Sequence, residues 1–114
     1  MTTFVNLTPH AIRIRMEDTN DAIELASDLV LPPSGTVARR EAKTVARGYI
    51  DGVADFATEF GPVIGLPARK AGVIYIVSAL VLSGTRRSDV RGPKTDGTAI
   101  RVNGQVFAVR GLQR

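Results

Sequence analysis

The sequence predicts a mainly β domain (β-rich α+β), built as a compact antiparallel sandwich or barrel of about seven to nine short strands with one or two short helices. Three observations lead there. Turn signals recur every ~8–12 residues, the spacing of a small all-β fold. Asp51-Gly52 and Asn103-Gly104 each stand between apolar flanks, and such dipeptides suit a two-residue hairpin because a type I′ turn needs positive φ at both positions. Val73 to Val77 is a continuous Val-Ile-Tyr-Ile-Val run, which reads as a strand buried on both faces and central in a sheet.

The remaining elements follow in order. Phe4 to Leu7 reads as a short strand that Thr8-Pro9 interrupts, because proline cannot donate to a ladder. Ala11 to Met16 alternates, with Ile12, Ile14 and Met16 on one face and Ala11, Arg13 and Arg15 on the other. Ala22 to Leu31 suits either a short helix or an irregular strand, and Pro32-Pro33-Ser34-Gly35 ends it. Thr36 to Arg47 is rich in helix formers but has no helical stripe, which favours two short strands over a helix. Ala54, Phe56 and Phe60 share one face of the strand after Asp51-Gly52, opposite Asp55 and Glu59, and Gly61-Pro62 breaks it. Ala79 to Leu82 starts a short helix with Ser78 as N-cap, ended by Ser83-Gly84. Ala99 to Arg110 forms the closing hairpin.

With 114 residues and no linker or repeat, the chain is expected to form one domain over 1–114. A hydrophobic fraction of 44% and a charged fraction of 23% suit a globular protein. The apolar run Val73 to Leu82 is roughly half a membrane span, and the N-terminus shows no signal-peptide pattern, so no membrane association and a cytoplasmic location are expected. Cysteine is absent, which excludes disulfides and thiolate chemistry. One histidine and no ligand motif point to no metal and no cofactor. The net charge of +4 is uneven: residues 1–60 carry six basic and nine acidic side chains, and residues 61–114 carry nine basic and two acidic. A basic half favours an anionic partner, or else is a solvated face that aids solubility.

Three groups of residues are candidates for function. His10, the single residue whose ordinary pKa lies near neutrality, stands in Asn6-Leu7-Thr8-Pro9-His10. Asn6, Thr8 and His10 form either a polar ligand-binding corner or a turn whose side chains satisfy their own backbone. Ser78 ends the buried strand but lacks a GxSxG elbow and a carboxylate near His10, so it reads as a cap in preference to a nucleophile. Arg86, Arg87, Asp89, Arg91 and Lys94 form the densest charge cluster, read as an anion clamp or as a loop of surface ion pairs. Gly-rich phosphate motifs and DNA-reading patterns are absent, so nucleic acid binding is expected to be weak and non-specific if present.

The stretches NLTPHAI (Asn6 to Ile12), PPSGTVAR (Pro32 to Arg39), IYIVSALV (from Ile74) and RSDVRGP (to Pro93) together resemble a group of small uncharacterised proteins of tailed bacteriophages and prophages with an NLTPH-type N-terminal motif. The resemblance runs over most of the chain. It implies a phage gene product acting in the bacterial cytoplasm or a minor virion component, and it transfers no catalytic residue.

These readings lead to a non-enzymatic phage accessory protein, expected to be homo-oligomeric, which binds an anionic nucleotide-like small molecule. Arg86, Arg87 and Arg91 would grip phosphate and Asn6, Thr8, His10, Ser78 and Asp89 would complete the site, as in sequestration of a bacterial immune signal (counter-defence). The alternatives are a virion accessory or host-protein interaction subunit, and a hydrolase using His10 as base.

Overall fold

Val73–Val77 has no polar face to give to water, and the computed structural model, which describes residues 1–114, places it inside the largest sheet. Ten strands and one helix make up the chain: β1 (Thr3–Asn6), β2 (Ile12–Ile14), β3 (Leu29–Leu31), β4 (Arg39–Ile50), β5 (Val53–Ile64), β6 (Val73–Ile76), α1 (Ala79–Leu82), β7 (Val90–Pro93), β8 (Ile100–Val102), β9 (Gln105–Ala108) and β10 (Leu112–Gln113). The mainly β class with little helix is therefore what the chain adopts. The largest sheet has the order β1-β6-β7-β10, so β6 is interior, as its sequence predicts. Successive side chains of a strand face opposite ways. Tyr75 and Val77 enter a core with Leu7, Ala38, Val81 and Val90, while Ile76 enters a second core with Ile12, Ile14, Leu31 and Val109.

The pairing differs from an all-antiparallel sandwich or barrel. β6 runs parallel to both β1 and β7, and the link from β6 to β7 carries α1 across the sheet. A parallel neighbour needs such a crossover of about a dozen residues or more. The other pairs, β2–β3, β4–β5, β8–β9 and β7–β10, are antiparallel, and most form separate two-stranded ribbons. Ser78 caps α1 as expected, its Oγ accepting from the Val81 N–H at 3.3 Å.

β4 and β5 form one long arm. Thr36–Arg47 is neither two short strands nor a helix: β4 runs unbroken for 12 residues and β5 matches it. Gly61-Pro62 does not end β5. Between Arg40 and Ala42 on β4, β5 passes from Val63 to Phe60, so Gly61 and Pro62 form a bulge opposite Glu41, a position that proline tolerates. At the tip, Asp51 and Gly52 have φ of 49° and 82°, as the hairpin reading requires. The face that carries Phe56 and Phe60 is solvated, with exposures of 60% and 48%, because the body covers the arm only at its root. The radius of gyration is 17.2 Å, against about 13 Å for a compact domain of this length.

Arg15 is the second departure. Ile12 and Ile14 point into the core as predicted, but Met16 lies beyond the strand and is exposed, while Arg15 is buried. Ala22 to Leu31 contributes only the three residues of β3, and the segment before it is irregular. Its backbone carbonyls find donors on Arg15, whose Nη1 reaches Asp21 at 2.9 Å and Thr19 at 3.2 Å and whose Nη2 reaches Ile23 at 2.7 Å. Arg15 Nε donates to Asp28 Oδ1 at 2.7 Å, and both side chains are fully enclosed. Arg13 Nη1 and the Leu25 N–H donate to Asp28 Oδ2 at 2.8 and 3.1 Å.

The Arg15 hydrogen bond, followed by the opposing cost of burial and then the Arg13 bond, brings the Asp28 pKa from 3.8 to about 2. A carboxyl depressed in the folded state contributes stability that is complete above its unfolded pKa and is lost as the pH falls through its folded one. Urea unfolding midpoints should therefore drop as the pH is lowered from 4 to about 2. Asp28→Asn should be less stable at pH 7 and show a shallower drop across that window.

Candidate functional site

The corner after β1 is built around one amide. Asn6 is 2% exposed, and all four of its hydrogen-bonding positions are used. Oδ1 accepts from the Thr8 N–H at 2.9 Å and the Thr8 hydroxyl at 2.7 Å, while Nδ2 donates to the carbonyls of His10 at 2.8 Å and Leu31 at 2.9 Å. Asn6 has no position left for a ligand. Its role is to hold Thr8, Pro9 and His10 in an outward loop, and His10 itself is exposed.

That loop forms one wall of a groove of about 490 Å³. Thr8, His10 and Arg13 come from the N-terminal segment, Ser78 and Ala79 from the start of α1, Pro93 and Thr95 from the end of β7, and Val106 to Val109 from the closing hairpin. The structure thus brings His10 and Ser78, far apart in sequence, to one concavity. Arg13 also stacks over Phe107, its guanidinium carbon 5.5 Å from the ring centre. The Arg13 charge is met by Asp28 at 2.8 Å and Glu24 at 3.4 Å. No carboxylate lines the groove, so nothing there orients His10 as a base for Ser78. No cluster of three or more His, Asp or Glu side chains gathers in a way that suits a metal.

The arginine cluster lies outside the groove lining, and its best donors are already used. Arg87 grips Asp89 with two bonds, Nε to Oδ1 at 3.0 Å and Nη2 to Oδ2 at 2.7 Å, and its Nη1 donates to the Pro67 carbonyl at 2.7 Å. The Arg87 hydrogen bond holds Asp89 below the ordinary carboxylate range. Arg91 Nη1 donates to the carbonyls of Ser88 and Val90 at 2.6 and 3.0 Å. Arg86 is exposed. An anion clamp needs free guanidinium forks, and in Arg87 the fork is turned onto the chain's own Asp89. Arg87 and Asp89 therefore brace the entry to β7, which puts the loop's ion-pair reading ahead of the clamp.

Arg13, Phe107 and Pro93 are groove residues that sequence reasoning did not single out. The Asn103-Gly104 signal locates the hairpin carrying Phe107, but nothing local shows that it packs beside the His10 corner. No family model matches this chain, and no match to it is found among curated proteins or solved structures.

Removing the Asn6 amide should leave the Leu31 carbonyl without its donor and release the His10 loop. Asn6→Ala is expected to lower stability by about 2–4 kcal/mol in urea unfolding. His10→Ala, at an exposed position, should leave the unfolding midpoint nearly unchanged.

Proposed function

We propose that this chain is a non-enzymatic binding protein of the phage or prophage accessory type, whose groove between His10 and Ser78 takes a nucleotide-like small molecule. The observation that carries this reading is the convergence of Thr8, His10, Ser78 and Thr95 on an otherwise largely apolar concavity of about 490 Å³. Ligand sites are commonly of this size, with a few polar groups set among apolar walls. Pro93, Val106 and Phe107 offer a surface to a planar base, and the hydroxyls of Ser78 and Thr95 suit a sugar or amide. The anionic end of the ligand is assigned to His10, the exposed imidazole of the groove lining. This moves the anionic contact away from Arg86, Arg87 and Arg91. The positive excess over residues 61–114 supports attraction of such a ligand over longer range. In a phage setting, sequestration of a nucleotide immune signal is a role that needs binding without turnover, and the lack of a carboxylate beside His10 favours it over the hydrolase.

A second reading, an assembly or host-protein interaction subunit, is favoured by the solvated β4–β5 arm. The two readings concern different surfaces.

Calorimetry against a panel of mono-, di- and cyclic nucleotides tests the groove. At least one should bind with Kd below ~1 mM, equivalent to about −4 kcal/mol. Ala79→Trp, which fills the groove from an exposed position, should abolish that binding without lowering the unfolding midpoint. His10→Ala should weaken it roughly ten-fold, about 1.4 kcal/mol. Absence of any ligand tighter than ~1 mM overturns the proposal.

A further inference from the structure

Strand direction in the largest sheet decides which loops meet. β6 runs parallel to β1 and β7, so the ends of these three strands share one edge of the sheet and their starts share the opposite edge. Thr8, Ser78 and Pro93, at or just beyond the ends, line the groove. Residues 67–70 and 85–89 lead into the starts of β6 and β7 at the other edge, and β10, antiparallel to β7, delivers Arg114 there too. That edge therefore gathers Arg69, Lys70, Arg86, Arg87, Arg91 and Arg114 around one side-chain carboxylate, Asp89. Contacts join the segments: Arg69 Nη1 donates to Ser88 Oγ at 3.3 Å, Arg87 Nη1 to the Pro67 carbonyl at 2.7 Å, Arg91 Nη1 to the Ser88 carbonyl at 2.6 Å and Arg114 Nη2 to the Thr85 carbonyl at 2.8 Å. Asp89 is held by two bonds from Arg87, with Arg69 farther away at 3.9 Å. Arg69, Lys70, Arg86 and Arg114 are exposed, and no guanidinium among them makes more than one hydrogen bond within the chain, out of five N–H donors.

We propose that this edge of the sheet is a polyanion-binding surface whose partner is the phosphate backbone of duplex DNA. None of the concavities of the structure is lined by these six residues, so a small anion would meet one or two cations in open water, where such contacts are worth little. A polyanion adds several such contacts and releases the counterions condensed on it. An acidic protein surface needs an apolar centre to anchor on, and no large apolar side chain is exposed in residues 67–71, 85–91 or 113–114. A single strand needs exposed rings to stack its bases. No Phe or Tyr stands in these loops, and Tyr75, whose ring Arg87 covers at 5.9 Å, is buried.

Duplex DNA carries one negative charge per about 1.7 Å of axis and asks only for cations within reach of it. β6, β7 and β10 are neighbours in the sheet, and at a strand spacing of about 4.8 Å their loops lie within roughly 10 Å of one another. Several cations therefore meet one stretch of backbone together. Contacts to phosphate carry no sequence information, so the binding is indifferent to sequence. Arg87 and Asp89 brace the loop from within, and the exposed cations around them make the contacts. The surface is separate from the groove, so its failure leaves the ligand proposal standing.

Fluorescence anisotropy of a labelled duplex of about 20 base pairs, titrated with the full chain at about 20 to 200 mM salt, tests it. Kd should lie below ~100 μM at the lowest salt, with a log–log salt slope of about −3.6, from four exposed cations at about −0.9 each. Two unrelated sequences should bind within about two-fold of each other. A single strand of equal length should bind at least about five-fold more weakly. Poly-glutamate, with one charge per about 3.5 Å of extended chain, should compete poorly. Arg69→Gln/Arg86→Gln should weaken duplex binding about ten-fold or more and make the slope shallower by about two. Lys43→Gln/Arg47→Gln removes the same charge from the arm and should leave the slope unchanged and Kd within about two-fold. All four positions are exposed, and unchanged thermal unfolding confirms that folding is intact. Absence of binding at the lowest salt, equal or tighter binding of the single strand or of poly-glutamate, or equal losses from the two double variants would each overturn the proposal.

Discussion

The structure depends on the buried Asn6 amide. β1 ends there in parallel register with Ile76, and the Asn6 backbone also bridges to Pro33 and accepts from the Ser34 N–H at 3.0 Å. Its side chain bonds the Leu31 carbonyl at the end of β3. One residue therefore fastens the largest sheet to the β2–β3 ribbon. An apolar side chain of similar size would fill the space but leave these carbonyls and N–H groups unpaired, at a cost comparable to several ordinary core contacts. The same bonds aim the loop bearing His10, so the fastening of the layers and the shape of the groove have one cause.

Arg15 solves a related problem. Only 17 of 114 residues are buried, too few for apolar packing to order every loop, and the segment before β3 has little secondary structure to absorb its own carbonyls. A guanidinium group has five donors in a rigid plane, and here they are divided between three backbone carbonyls and the Asp28 carboxylate. Arg110 adds contacts from the closing hairpin, donating to the Glu17 and Thr19 carbonyls at 2.9 Å and to the side chain of Asn20. Several of the basic residues that give the chain its charge thus act as internal fastenings, Arg87 among them.

What was legible in the sequence is local chemistry. Asp51-Gly52 and Asn103-Gly104 mark hairpins because few other dipeptides accept two positive φ angles, and Ser78 marks a helix start because its hydroxyl meets a free N–H. The apolar run at 73–77 marks a strand with two buried faces. Pairings over long distance leave no such trace. Nothing in Thr3–Asn6 shows that it lies parallel to Val73–Ile76, and nothing around His10 shows that Ser78 and Phe107 share its groove. The alternation of Phe56 and Phe60 was visible, but periodicity reports that a face is apolar and not whether this chain supplies its cover. For the arginines, side-chain type alone did not distinguish a free fork from one closed on Asp89.

α1 joins the two surfaces that matter most. Its first end carries Ser78 into the groove, and its last end carries Ser83 onto Arg40 at the root of the arm. The root is tightly set, since an added Cβ at Gly65 would stand 2.9 Å from the Val37 carbonyl oxygen. Twelve residues of strand at about 3.3 Å each make a lever of roughly 40 Å. A tilt of about 5° at such a pivot carries the far end about 3 Å, a displacement comparable to the rise of one strand residue. A four-residue helix therefore stands between the groove and the root of the arm, and the hairpin tip is the point that any change of angle at that root would displace most.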